Sequence, residues 1–584
     1  MRVSILALAA GLSLATPAAA DPTEDFEALT DRYWAYVLEN SPTLATSVGV
    51  TDYDDRLWDN SIEAMDRNAA IATEMLEELE AILSDDLSKE DRTGKAILER
   101  TLRSAIEGNS YGQRLMLFTN RGGWHQSVAG LARNLTFDEV ADYENYLKRL
   151  AAYPELNATS IEVSRQAVAG GYTLPCVAMA NFEQSITGVI GDDATGTRFY
   201  EPFDRERPSF VPEVRWAELQ AEAVSLIDNE LREAYETHAR WYVDDYAPNC
   251  ATEPGISAQP GGADYYNFRV RQFTTTDMSA DEIHQLGLSE VARIRAEMEE
   301  VAAEAGFGTR EAFIEDLRTN PKYYAKTPEA LMQYVAREAK KMDGLMPTLF
   351  GTLPRLPYGI REIPAEIAEG TTTAYYNPGS PANGIAGTYY VNTSKLDQRP
   401  LWEVPALTVH EGVPGHHHQI ALQQELDMPM WRKRGTGFTA FTEGWGLYSE
   451  RLGIEMGLYD TPAKDMGRLS YEMWRATRLV VDTGIHSKGW SKQQAMDFML
   501  DNTALSPANI EAEVNRYISW PGQALAYKIG ELKIRELRSL AEEELGDAFS
   551  LKDFHDTVLL QGAVPLDVLE MQVKDWIAEV KAGA

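Results

Sequence analysis

His410-Glu411-Gly412-Val413-Pro414-Gly415-His416-His417-His418-Gln419 holds four of the nine histidines of this 584-residue chain and sets a glutamate directly after the first of them. Neutral imidazole is the commonest protein ligand for zinc, and a carboxylate beside a metal-activated water is the usual general base of metal-assisted hydrolysis. The stretch therefore reads as a zinc site in which His410 is a ligand and Glu411 the base.

The zinc-hydrolase helix of the form HExxH puts its two histidines one turn apart on one face. This chain departs from that spacing. Pro414 stands four residues after His410, and the next histidine, His416, is six residues on. An uninterrupted helix would carry that residue through about 600°, some 240° away from His410. Pro414-Gly415 breaks the helix, so the geometry has to be reset locally before it resumes towards Glu425. His416 is the preferred second ligand, and His417 is the alternative. A third ligand is expected from a carboxylate on a following helix. The segment FTEGWGLYSE, residues 441–450, supplies Glu443, 27 residues past His416. Two histidines, one glutamate and an open position describe a catalytic zinc site rather than a closed structural one. Glu450, two turns further on, is either a partner of a ligand or a solvated helix residue.

Composition narrows the alternatives. The chain carries 54 basic against 90 acidic residues, a net charge of −36, which argues against nucleic acid and anionic membrane surfaces as partners. Met1-Arg2, the apolar run Ile5–Leu14 and Ala18-Ala19-Ala20 read as a secretory signal peptide over residues 1–20. No cysteine follows it, so no lipid anchor is expected there, and no later run is long enough to span a bilayer. The expected location is periplasmic or extracellular. Cys176 and Cys250 lack a CxxC partner, and an oxidising compartment favours a disulfide between them.

Helical periodicity dominates, over residues 24–40, 62–109, 139–169 and 214–243 and again from Ser279, where Glu282 completes a capping box. A Pro-, Gly-, Ala- and Ser-rich stretch from Asp244 to Ala263 marks the expected boundary between an N-terminal helical lobe, residues 21–260, and a catalytic lobe, residues 261–584. Strand signals cluster just upstream of the histidines. Residues 374–376 and 387–392 flank a turn-rich segment and predict a β-hairpin. The expected fold is mainly α, with one small sheet beside the site.

HEGVPGHHHQ, FTEGWGLYSERLG, RATRLVVDTGIHSKGW and RYISWPGQALAYKIG resemble the signature blocks of the bacterial DUF885 family. So do SPTLATSVGVTDYDDRLWDNS, MSADEIHQLGLSEVARIRAEM and PGSPANGIAGTYYVNTS, and together they cover most of the chain. Position 418 departs from the family's usual aliphatic residue and adds a spare imidazole. The family is similar to gluzincin-type helical zinc peptidases, the fold of angiotensin-converting enzyme, thimet oligopeptidase and the thermostable carboxypeptidases. That resemblance implies a two-lobed, zincin-like helical shell around a deep channel, with Zn2+ at its floor. In the gluzincins a tyrosine from a late helix, often with a histidine, stabilises the oxyanion. Tyr517 matches that role, and Tyr527 is a second candidate.

Arg475, Arg478, Asp482 and His486 step along one apolar helix, which is costly unless they are paired or face a cavity. One arginine is expected to pair with Asp482 and the other to bind a substrate carboxylate, and His486 to serve the oxyanion or the peptide. Tyr389, in the strand 389–392, is expected on an edge strand that pairs with an extended peptide. The reading is an exported zinc metallopeptidase acting on small peptides, of carboxypeptidase or oligopeptidase type. The alternatives are a zinc amidohydrolase for a non-peptide or cyclic amide and a non-catalytic zinc- or peptide-binding periplasmic protein.

Overall fold

A computed structural model describes residues 21–583 apart from 365–367, 369–371 and 382–383. The signal peptide expected over residues 1–20 lies outside the described residues. Three helices open the chain, α1 (Pro22–Asn40), α2 (Ile62–Ala81) and α3 (Lys89–Asn109). Each starts where a side-chain oxygen satisfies a free backbone N–H, with Asp21, Ser61 and Ser88 accepting from Thr23, Ala64 and Asp91. Four further helices follow, α4 (Val140–Ala151), α5 (Tyr153–Gly170), α6 (Glu213–Leu226) and α7 (Arg232–Trp241). Then come α8 (Gly262–Thr274), α9 (Ala280–Glu304), with the expected Ser279–Glu282 capping box formed, and α10 (Pro328–Leu349).

The sheet has three strands, β1 (Tyr358–Glu362), β2 (Ala374–Asn377) and β3 (Gly387–Val391). The predicted hairpin is present as the antiparallel β2–β3 pair, with Ala374 opposite Val391. Sequence reading missed β1, whose Tyr-Gly-Ile-Arg-Glu lacks a clear apolar alternation, yet it pairs in parallel with β3. The strand order β1-β3-β2 makes β3 the central strand. This corrects the expectation for Tyr389: its strand has both edges occupied, and its ring is fully buried with the hydroxyl near Thr408. Tyr389 packs the sheet and is not available to a peptide.

After the sheet the chain is helical again: α11 (Val404–Glu411), α12 (His416–Glu425), α13 (Thr439–Leu452), α14 (Pro462–Lys488), α15 (Pro507–Ser519), α16 (Ala526–Leu545), α17 (Leu551–Leu559) and α18 (Leu566–Gly583). The cores divide the chain elsewhere than at residue 260. Phe26, Leu29 and Tyr33 of α1, Leu79 of α2 and Leu98 of α3 share one core with Trp431, Phe441, Trp445, Leu569 and Val573. A second, aromatic-rich core has its buried residues between Phe118 and Tyr246, among them Trp124, Tyr143, Tyr153, Phe199, Trp216 and Tyr235. The first three helices therefore belong with the C-terminal half, because their apolar stripes find their complement there.

Cys176 and Cys250 form a disulfide. It ties the Pro- and Gly-rich stretch to the chain that follows α5, beside a backbone bond from Cys176 N–H to Ala251 O of 2.9 Å. Among the described residues, no helix is long and apolar enough to cross a membrane.

Candidate metal centre

α11 ends at Glu411 and α12 begins at His416, and the four residues between them fold back on the helix they leave. Gly415 N–H donates to Val409 O at 2.9 Å and His417 N–H to Gly412 O at 3.1 Å. A β-carbon on Gly415 would lie 2.0 Å from His410 O and 2.3 Å from Val409 O, so a side chain there is excluded. The Trp445 indole on α13 donates to Pro414 O at 2.8 Å and pins the break from outside.

Because the helix restarts at His416, three successive histidines step round its axis by about 100° each and face three ways. His416 turns to His410, with ring centroids 4.6 Å apart and planes at 86°. His417 turns to the sheet, where Nδ1 shares a 2.9 Å hydrogen bond with the Tyr376 hydroxyl and the ring lies 4.6 Å from Tyr358. Burial pushes the His417 imidazole down to about 4. His418 is fully buried against Phe350, and among the described residues its ring makes no hydrogen bond. Of the two histidines left open by the sequence, the structure brings His416, and not His417, beside His410.

Glu443 completes the group. Its Oε2 lies 3.6 Å from His410 Nε2 and 3.5 Å from His416 Nε2. The ligating atoms of the three residues all fall within 4.8 Å of one another. Donors about 2.0–2.1 Å from a tetrahedral zinc stand roughly 3.3 Å apart, so two imidazole nitrogens and one carboxylate oxygen at these separations fit that ion with little rearrangement. The charges agree. Burial pulls the His410 imidazolium down, but Glu443 and Glu450 overcome it and lift the group to about 9. Burial pushes the Glu443 carboxyl up, and the two imidazoles hold it well below the usual carboxylate range all the same. The pocket favours a positive charge.

His410 is held by what lies behind it. Its Nδ1 donates to Glu450 Oε1 at 2.7 Å, which leaves Nε2 free for a metal. Glu450 is 1% exposed and is itself 3.5 Å from Arg475 Nη2. The helix α13 that carries both glutamates can approach only because residue 446 is glycine: a β-carbon there would lie 2.8 Å from His410 Cε1. Glu450→Gln is expected to lower zinc affinity by roughly 10- to 100-fold, the usual effect of losing a carboxylate behind a ligating histidine, measured by competition with a chromophoric chelator. Unchanged affinity would remove Glu450 from the site.

Glu411 is half-buried at the last position of α11. Among the described residues its carboxylate makes no hydrogen bond or ion pair.

The row on α14 is satisfied differently from the expectation. Asp482 pairs with no arginine; it accepts from the Tyr266 hydroxyl at 2.7 Å and from Gly522 N–H at 3.1 Å, and burial pushes its carboxyl up to about 7. Arg475 supports Glu450 and donates to Tyr471 O at 3.3 Å, so it is a positioning residue rather than a substrate-binding one. His486 has both ring nitrogens on backbone, accepting from Ile256 N–H at 3.1 Å and donating to Tyr517 O at 2.9 Å. Fully buried, it is pushed down to about 4 and serves the packing of α14 on α15, not an oxyanion.

Tyr517 is corrected for the same reason. It is 1% exposed, its hydroxyl donates to Glu513 at 2.8 Å, and it accepts from Arg478 Nε at 3.0 Å and Trp474 Nε1 at 3.2 Å. A phenol with its one proton committed to a buried carboxylate has none to offer substrate. Tyr527 is the half-buried one of the pair, one turn before Gly530, which packs against Ala440 and Gly444 on either side of Glu443 along α13. Sequence reasoning missed Trp445, Gly446 and Glu513. The first two lie inside the quoted Glu-Gly-Trp-Gly motif, where two glycines in a helix interior were the available signal of close approach.

A family model described as "Bacterial protein of unknown function (DUF885)" matches residues 42–573. The solved structure of a "putative lipoprotein" from Colwellia psychrerythraea is similar at a TM-score of 0.89 and 28% identity, over 96% of this chain and 100% of that one. A "putative lipoprotein of unknown function" from Shewanella oneidensis shares the fold at a TM-score of 0.72 and 18% identity, over 95% and 99% of the two chains. No curated protein matches the chain.

Proposed function

The chain belongs to the DUF885 family of bacterial proteins, and we propose that it is an exported zinc-dependent hydrolase of peptide bonds, acting on small peptides. The observation that carries this reading is the convergence of His410, His416 and Glu443 beside a free carboxylate, Glu411. A closed structural site has no use for such a base. The helical shell is read as that of a gluzincin-type zinc peptidase, supported by a histidine–glutamate pair on one helix and a ligand glutamate on a later one. Export rests on the leader-like N-terminus and on the disulfide, which belongs to oxidising compartments.

Zinc held by His410, His416 and Glu443 would supply Lewis acidity towards water and the scissile carbonyl. The protein's own groups do the rest. Glu411 takes a proton from the attacking water and returns it to the leaving amine, one carboxylate acting in turn as base and acid. Glu450 and Arg475 keep the His410 ring in the tautomer that presents Nε2.

The expected result with purified mature protein is hydrolysis of short peptides that stops on chelation and returns with stoichiometric zinc. Liquid chromatography of a peptide panel measures it. Bound zinc with no cleavage of any peptide would overturn the reading, and cleavage confined to cyclic or non-peptide amides would transfer it to an amidohydrolase.

A further inference from the structure

Beyond the metal centre, buried charge is left unbalanced around Glu513 on α15. Three guanidiniums meet this single carboxylate. Arg516 Nη2 lies 2.9 Å from Glu513 Oε2, Arg478 Nη2 3.2 Å from the same oxygen, and Arg121 Nη2 3.8 Å from Oε1. The Tyr517 hydroxyl donates to Oε2 as well, so that oxygen has no capacity left. Burial pushes the Glu513 carboxyl up, but Arg516 and Arg478 hold it down at about 2. Among the described residues no second carboxylate forms an ion pair with any of these arginines. A chain of net charge −36 thus keeps two positive charges in surplus at one spot.

Two donors are also left over. Arg478 is 3% exposed and its Nη1 has no partner; Arg516 is 6% exposed and its Nε has none. A buried guanidinium N–H without an acceptor is costly, and an anion that supplies one recovers that cost. The Arg478 guanidinium is fixed between the rings of Trp474, 4.6 Å away, and Tyr527, 4.3 Å away, both half-buried. Arg121 closes the group from the second core, on the short turn bridged by Thr119 and Gly122, with 54% of its side chain exposed. The cluster is therefore rigid at its base and open at its rim.

A chain of contacts links it to the metal centre. Arg478 stands one turn after Arg475 on α14, about 5 Å along the helix, and Arg475 touches the Glu450 that holds His410.

We propose that Arg121, Arg478 and Arg516 form a carboxylate subsite that takes the free C-terminal α-carboxylate of a short peptide, so that the enzyme removes residues from the C-terminus. This rests on the hydrolase reading above. Planar guanidiniums recognise carboxylates by paired hydrogen bonds, which gives the subsite its selectivity.

Calorimetry on the zinc-loaded Glu411→Gln protein, which binds without turnover, tests it with matched peptides. One carries a free C-terminus, one a C-terminal amide, and one a C-terminal amide with a glutamate side chain beside it. The free acid is expected to bind about tenfold tighter than the amide, the size of effect charge-assisted hydrogen bonds give. Arg121→Ala, a change at an exposed position, is expected to remove most of that preference. Equal affinity for acid and amide would overturn the subsite and leave the hydrolase reading standing. Equal affinity for the blocked glutamate peptide and the free acid would overturn the C-terminal assignment. Selective acid binding by a wild-type protein that cleaves no peptide would overturn the hydrolase reading and leave the subsite.

Discussion

Glu411→Gln is expected to leave zinc content at one per chain and to reduce peptide hydrolysis by about a thousandfold, within the 10²- to 10⁴-fold range of a lost general acid–base group. The substitution keeps the shape of the side chain and removes only its basicity. Glu411 is no part of the ligand set, and among the described residues it holds no partner whose loss would loosen the fold. It sits at the end of α11, immediately after His410. Metal content by mass spectrometry and initial rates on one good peptide settle the matter together. A variant that turned over at a rate near wild type with zinc bound would remove Glu411 from the chemistry.

The second large effect separates the neighbouring histidines. His416→Ala, His410→Ala and Glu443→Ala are each expected to weaken zinc binding by more than about a hundredfold, exceeding the effect of losing a residue behind a ligand. His417→Ala is expected to retain zinc. The reason is geometric. His416 Nε2 is 3.5 Å from Glu443, whereas the His417 ring is engaged by Tyr376 and Tyr358 on the sheet. Dialysis against a chelator followed by metal analysis distinguishes the four variants. Zinc retained by His416→Ala and lost by His417→Ala would reverse the assignment.

Much of the site was legible because its chemistry is local. A histidine followed by a glutamate, a helix break and a glutamate on the next helix are neighbours in the chain, and His410, Glu443 and a choice of His416 or His417 could be named from them as candidate ligands. Helix starts were legible for the same reason, since the bond from Glu282 N–H to Ser279 spans three residues. The roles given to Tyr517, His486, Arg475 and Tyr389 were not legible. Each depends on a group distant in sequence: Glu513 for Tyr517, Ile256 for His486, Glu450 for Arg475, and β1 for the strand of Tyr389. A polar side chain in an apolar helix must have a partner or a cavity, and one-dimensional periodicity cannot say which.

By itself the sequence determined a mainly helical protein with a β-hairpin just before a His-Glu helix, and offered His410, Glu443 and either His416 or His417 as the residues to meet there. Periodicity, capping and motif spacing act over a few residues and survive without the fold. Only the tertiary structure decided which histidine follows the break into the site, because that turns on Gly415 lying against the His410 carbonyl and Trp445 holding Pro414. It also placed the first three helices with the C-terminal half and brought Arg121 to Glu513. Those are contacts between segments hundreds of residues apart, set by complementary apolar faces and charge that no local pattern records.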